Sequence, residues 1–161
     1  MTMQAADTAV RHEIVVNAPI EHAFNVFTEG YHTWNPPEHH IGEAELESTV
    51  MEPREGGRWY EVGVDGSECD WGRVLAWEPP TRVVLAWQIS TQWQYDPDPS
   101  RASEVHVSFT DLGDNTTRVE LEHRHLDRHG EGWEGVREAV GSPDGWPGAL
   151  ELYQAKTVET A

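Results

Sequence analysis

The stretch from Gly56 to Ile89 constrains this chain more than any other. It holds three apolar-rich runs, Gly57–Val64, Glu68–Glu78 and Thr81–Ile89, separated by Asp65-Gly66 and by Pro79-Pro80. Runs of this length between turn formers read as an antiparallel meander. Helix-forming segments stand on either side of the sheet region in sequence. A curved sheet closed by helices makes a container.

The rest of the chain extends that pattern. Residues 10–17 read as a first strand, and Asn17-Ala18-Pro19 supplies helix-start chemistry, a capping side chain with proline in the first turn. Ile20, Ala23, Phe24 and Phe27 then recur on one helical face, which Gly30 is expected to end. Tyr31 to Pro37 is too short and broken for more than a turn of helix and a loop. Further strands are expected at 43–51, 57–64, 68–78, 81–90, 103–112 and 116–125. After residue 126 the period changes. Trp133, Val136 and Val140 mark a short helix, and Trp146, Ala149, Leu150, Tyr153 and Thr157 mark a longer one starting near Pro147.

This order gives an α+β fold, a curved antiparallel sheet of six or seven strands around a long C-terminal helix, with short helices after the first strand. The expected organisation is a flexible N-terminus over 1–9, a single domain over 10–158 and a tail over 159–161. With 161 residues the chain fits one domain and buries roughly two thirds of its unfolded surface.

Charge and cysteine usage narrow the partners. Against 11 basic residues stand 29 acidic ones, a net charge of −18. Polyphosphate partners need clustered Lys and Arg, so no nucleic acid is expected, and anionic membrane surfaces are disfavoured alike. Cys69 is the single cysteine, which excludes an internal disulfide and a thiolate metal cluster. The N-terminus shows no secretory pattern and no run is long enough to span a bilayer, so a cytoplasmic protein is expected.

Several motifs in order carry a family resemblance: Asn17-Ala-Pro with its helix, Trp34, Gly56-Gly-Arg-Trp, and Gly72-Arg-Val-Leu-Ala-Trp-Glu-Pro-Pro followed by Val83-Val-Leu-Ala-Trp. Thr117-Arg-Val-Glu-Leu-Glu-His and Gly145-Trp146 complete the set. The chain resembles the START-like, helix-grip (SRPBCC) superfamily, and within it homologues of activators of heat-shock-protein ATPase. The resemblance spans about residues 10–158 and implies a cavity between the sheet and the last helix. Such folds host carriers, cyclases, hydrolases, self-resistance proteins and co-chaperones, so function does not follow from fold. The acidic, glycine-bearing segment 127–145 departs from the pattern and is expected near the cavity mouth.

Alternation places Val83, Leu85, Trp87 and Ile89 on one face, Val105, Val107 and Phe109 on another strand's inward face, and Val119, Leu121 and His123 on the next. For 68–78 the pattern does not decide, because Trp71, Leu75 and Trp77 oppose Val74 and Ala76. His123 is read either as a polar group in the cavity wall, orienting a ligand or moving a proton, or as a satisfied core histidine. His125 is expected at the solvated strand end. His39, His40 and Glu38, with His123 and His125, offer metal-ligand atoms, but no compact pairing supports a metal and none is expected. No cofactor is expected either.

Among the eight tryptophans most should be core filler, given 37% hydrophobic content. Trp34, Trp87, Trp93 and Trp146, with Phe109, Leu121 and His123, are the candidate ligand-binding residues, Trp93 at the rim. Aromatic rings on a cavity wall can stack on a flat ligand. Glu43, Glu45 and Glu47 read as the solvent face of a strand, and no nucleophile elbow surrounds any serine. The expected function is binding of a small hydrophobic or aromatic molecule. An enzyme of cyclase or hydrolase type using a cavity histidine, and a co-chaperone-like interaction module, are the alternatives. A homodimer through exposed strand or helix surface is a further expectation.

Overall fold

A computed structural model describes residues 8–36 and 38–161 of the chain. Most of the expected flexible N-terminus, 1–9, lies outside the described residues. Strand β1 (Val10–Val16) leads into helix α1 (Ile20–Phe27) and the single turn α2 (Tyr31–Trp34). Six strands follow: β2 (Leu46–Met51), β3 (Arg58–Gly63), β4 (Glu68–Glu78), β5 (Arg82–Trp87), β6 (Ser103–Gly113) and β7 (Thr116–Arg124). Helices α3 (Trp133–Gly141) and α4 (Trp146–Glu159) close the chain.

The strands form one curled, seven-stranded antiparallel sheet in the order β1-β7-β6-β5-β4-β3-β2. Each neighbour from β2 to β7 is the next in sequence, so hairpin turns set the pairing, and only β1 joins from a distance. Alternation holds in β6 and β7, where Val105, Val107, Phe109, Val119 and Leu121 are buried, whereas in β5 Val84 and Ala86 are buried along with Val83 and Leu85. The apolar stripe of α4 meets that face. Leu150, Tyr153 and Thr157 are wholly enclosed, and Leu150 and Tyr153 share one core with Ala23, Phe24 and Phe27 of α1.

Polar bonds seat the helix. The Tyr153 hydroxyl donates to the Ala23 carbonyl at 2.7 Å, tying α4 to α1, and the Gln154 amide donates to the Val15 carbonyl at 2.6 Å, tying it to β1. Burial raises the Tyr153 hydroxyl above its ordinary range and keeps it a donor. Among the described residues no helix is long and apolar enough to cross a membrane.

Two local expectations are corrected. Asn17 does not cap α1; Pro19 occupies the N-cap position with an extended backbone and no side-chain cap. Gly30 does not end α1, which stops at Phe27 with Thr28 as C-cap. Gly30 instead precedes α2 at φ −89 and passes close to Val26, where a Cβ would lie 2.9 Å from the carbonyl oxygen.

The undecided face of β4 has a physical cause. The register slips against β3 between Trp59 and Tyr60, and against β5 between Val74 and Ala76. Each slip adds a residue on the β4 side, so Trp71 and Val74 both turn inward while Leu75 is exposed. Bulges also increase local twist and bend the strand. Gly72 sits between them, buried against β5, where a Cβ would lie 1.7 Å from the Ala86 carbonyl oxygen.

That contact is backbone against backbone and has no flexible side chain to yield. Gly72→Ala is expected to destabilise the protein by about 3 kcal/mol or more, lowering the thermal midpoint by roughly 6–12 °C. Thermal unfolding followed by far-UV circular dichroism checks this, and an unchanged midpoint would show that β4 and β5 can separate at no cost.

Candidate functional site

A cavity of about 440 Å³ lies at the N-terminal end of α4. Tyr31 of α2 and the following loop form one side, Trp71 and Trp87 of β4 and β5 another, and Val140 of α3 with Trp146 and Ala149 of α4 the third. Its volume falls in the range that holds one small organic molecule. Trp93 also lines it, 43% exposed, at the tip of the loop after β5. Ser142, Asp144 and Gly145 reach it from the α3–α4 connection, so the segment 127–145 does border the cavity.

The aromatic wall is continuous with the core. Trp71 and Trp87 each pack edge-on against Trp59, with centroids 5.4 and 5.9 Å apart, and Trp87 lies 6.1 Å from Trp146. Tyr31 contacts Trp71 edge-on at 6.2 Å. Such pairs are each worth about 0.5–1.5 kcal/mol beyond area burial and fix ring orientation. The indole N–H of Trp87 is enclosed and has no hydrogen-bond partner.

Behind this wall runs a directed polar chain. The Trp146 indole N–H donates to His123 Nδ1 at 3.1 Å. Nδ1 therefore carries the lone pair, and the hydrogen sits on Nε2, which is 2.7 Å from Ser103 Oγ. With its oxygen accepting there, the Ser103 hydroxyl donates to His129 Nε2, also at 2.7 Å. Burial holds both rings neutral: His123 is lowered to about 3 and His129 to about 4, the nearby Asp96 carboxylate pulling His129 partly back. Trp146 thus has its orientation set from behind.

Glu61 supports the opposite wall. It is 2% exposed and accepts the N–H groups of Ile41 at 2.6 Å and Gly42 at 3.2 Å and the Trp71 indole N–H at 2.8 Å. His40 Nδ1 lies 3.8 Å from Glu61 Oε2 and 3.0 Å from the Gly42 carbonyl oxygen. His39 and His40 are half-buried and line the cavity, with Glu38 at its edge. Among the described residues no three His, Cys, Asp or Glu side chains are grouped to hold a metal ion.

Of the sequence candidates, Trp87, Trp93 and Trp146 line the cavity, whereas Trp34, Phe109, Leu121 and His123 do not. Trp34 donates its indole N–H to the Val26 carbonyl at 2.9 Å and packs on Phe27 and Tyr153, on the core side. Phe109 packs edge-on against Phe24 and Phe27 of α1, and Leu121 is buried in the same core. His123 faces inward as expected, but Trp87 and Trp146 stand in front of it. Sequence reasoning missed Tyr31, Trp71, His40 and Glu61. Glu61 had a signal, since it lies two residues from buried Trp59 on one strand face. Glu43, Glu45 and Glu47 are exposed, but β2 begins at Leu46 rather than at 43, so only Glu47 belongs to the solvent face of a strand.

Comparisons place this geometry among known proteins. The family model described as "Activator of Hsp90 ATPase homolog 1-like protein" matches residues 17–151. A solved structure described as an anthrahydroquino-γ-pyrone synthase, Txn09, complexed with SUM, is 42% identical, covers 93% of this chain and 96% of that chain, and has a TM-score of 0.66. The solution structure of CalC, a self-sacrificing resistance protein from Micromonospora echinospora, is 32% identical over 96% of this chain and 97% of that one, with a TM-score of 0.70. Protein NE0264 from Nitrosomonas europaea shares the fold at 14% identity, covering 99% of this chain and 100% of that chain, with a TM-score of 0.70. No curated protein matches the chain.

The two neutral histidines carry a pH signature. An unfolded imidazole titrates near 6.5, so below that pH the unfolded chain binds protons that the folded chain refuses until about 4 for His129 and about 3 for His123. Their contribution is complete above about 6.5 and is lost as pH falls. Urea unfolding at about pH 7, 6 and 5 is expected to show declining stability. In His129→Gln, whose amide oxygen still accepts from Ser103, the decline is expected to flatten; an identical slope would assign it to other groups.

Proposed function

This chain belongs to the Activator of Hsp90 ATPase homolog 1-like protein family, and from that premise we propose that it binds a small, flat aromatic molecule in the cavity at the head of α4. The observation that carries this reading is the convergence of Trp71, Trp87, Trp93, Trp146 and Tyr31 on one space of about 440 Å³. Apolar walls with a few convergent polar groups are the usual make-up of a small-molecule site. Flat rings stack on indoles at little cost in ordering, because the walls are held from behind by Glu61, His123 and the core tryptophans. The synthase relative, 42% identical, supports a fused-ring aromatic as the ligand class.

A second reading is an enzyme acting on that molecule, favoured by the synthase description of the same relative. Its acid–base group would come from the side chains that line the cavity, His39 and His40, in place of His123, which lies behind the wall. The family description names an activator of Hsp90 ATPase, a statement about relatives. The cavity favours the small molecule.

Titration with an anthraquinone probe is expected to quench tryptophan fluorescence with saturation, and native mass spectrometry to show one probe per chain while counting subunits. Trp93→Ala removes an exposed wall ring with little effect on stability and is expected to weaken binding about 3- to 10-fold. Absence of saturable quenching by any planar aromatic probe would remove the proposal.

A further inference from the structure

Glu61 is the one carboxylate fully buried among the described residues. A carboxylate withdrawn from water is costly unless it is hydrogen-bonded and paired with a cation. The N–H groups of Ile41 and Gly42 and the indole of Trp71 supply the hydrogen bonds, but none brings a charge. The group within reach that can become a cation is His40, 3.8 Å away. Among the described residues no Lys or Arg lines the cavity; its charged or chargeable side chains are Glu38, Asp144, His39, His40 and Tyr31, whose hydroxyl is kept protonated by burial. His40 and His39 are therefore the groups that can balance an anion formed on a ligand.

The geometry of His40 selects it. Its Nδ1 lies 3.0 Å from the Gly42 carbonyl oxygen, which only accepts, so Nδ1 carries the hydrogen and the neutral ring keeps its lone pair on Nε2. With Nδ1 turned to the wall, Nε2 is on the ring edge away from it, in a side chain that borders the cavity. A ring held by one nitrogen, with a carboxylate beside that nitrogen, is poised to take a proton on the other.

We propose that His40 is the proton-accepting group of this cavity, that its ligand carries an aromatic hydroxyl, and that Glu61 is the positioning residue that holds the resulting imidazolium. The inference rests on the aromatic-binding reading above and adds the ligand's chemistry to it. In the step, the ligand O–H bond breaks, an N–H bond forms at His40 Nε2, and the electron pair stays on the phenolate oxygen. The product is a phenolate–imidazolium pair of unchanged total charge. Returning the proton from Nε2 to the ligand, or losing it to water, closes the cycle without an oxidant or reductant. An aromatic hydroxyl titrates near 10 in water and lower on an electron-poor ring.

The probe is 2-hydroxyanthraquinone, whose visible band moves to longer wavelength on ionisation, compared with unsubstituted anthraquinone. At about pH 7, where free probe is still mainly neutral and an ordinary imidazole is mostly unprotonated, probe bound to the wild-type protein is expected to show the phenolate band. Its ionisation midpoint is expected to fall by about one pH unit or more, a tenfold change in the equilibrium. His40→Gln, which can still donate to the Gly42 carbonyl, is expected to bind up to about tenfold more weakly with the probe neutral. Glu61→Gln is expected to lose part of the midpoint shift. Nitrogen-15 chemical shifts of the His40 ring in wild-type protein, moving to imidazolium values as probe is added, give the same readout without a variant. A bound probe that stays neutral in the wild type, or ionises equally in His40→Gln, overturns the inference and leaves aromatic binding standing. Failure of both probes to bind overturns the binding reading, and this inference with it.

Discussion

The close approach of β4 to its neighbour β5 at Gly72 is the contact on which the rest of the molecule depends. Two register slips within a few residues, one against each neighbour, bend β4 and leave room only for a hydrogen where it meets the Ala86 carbonyl. A regular strand would have put Trp71 on the opposite face from Gly72, Val74 and the inward side chains of β5. The bulge returns it to the concave side, against Trp59, and so places an indole in the cavity wall. The bend of β4 and the place of Trp71 in the cavity lining follow from these slips.

Large rings then do the filling that aliphatic residues do elsewhere. Phe24, Phe27, Phe109 and Tyr153 interlock edge-to-face between α1, α4 and the sheet, and all four are buried. At the N-terminal end of α4 the rings are spaced around an opening instead. Rigid, flat side chains close-pack efficiently only in certain arrangements, and where the arrangement diverges a void remains. The hollow is where the packing of tryptophans ends.

Two buried polar stations keep that hollow in shape. His123, Ser103 and His129 form a chain with one consistent hydrogen direction that terminates on the Trp146 indole. Glu61 gathers the Ile41–Gly42 backbone and the Trp71 indole on the other side. A fully satisfied buried network specifies a unique arrangement, because any rotation of one member strands another without a partner. The histidine singled out by its position on β7 proves to act on the wall from behind, through Trp146. The histidines that border the cavity, His39 and His40, sit in a loop, where exposed polar side chains are ordinary and nothing in the pattern marks them out.

Most elements, and the inward faces of β6, β7 and α4, are legible in local periodicity. Alternation in β6 and β7, the stripe from Trp146 to Thr157, and hairpin-length turns between successive strands required a curled antiparallel sheet around a terminal helix. Those signals are local, since side-chain direction repeats every two residues in a strand and about every 3.6 in a helix. Tertiary structure alone decided which inward residues meet empty space and which meet one another. Trp34, Trp87 and Phe109 all lie on inward faces, yet only Trp87 reaches the cavity. That distinction depends on bulges in β4, on how far α1 extends along α4, and on a loop that brings His40 to Glu61 across 21 residues of sequence. Periodicity cannot encode such meetings, because they are set by packing between segments that share no local pattern.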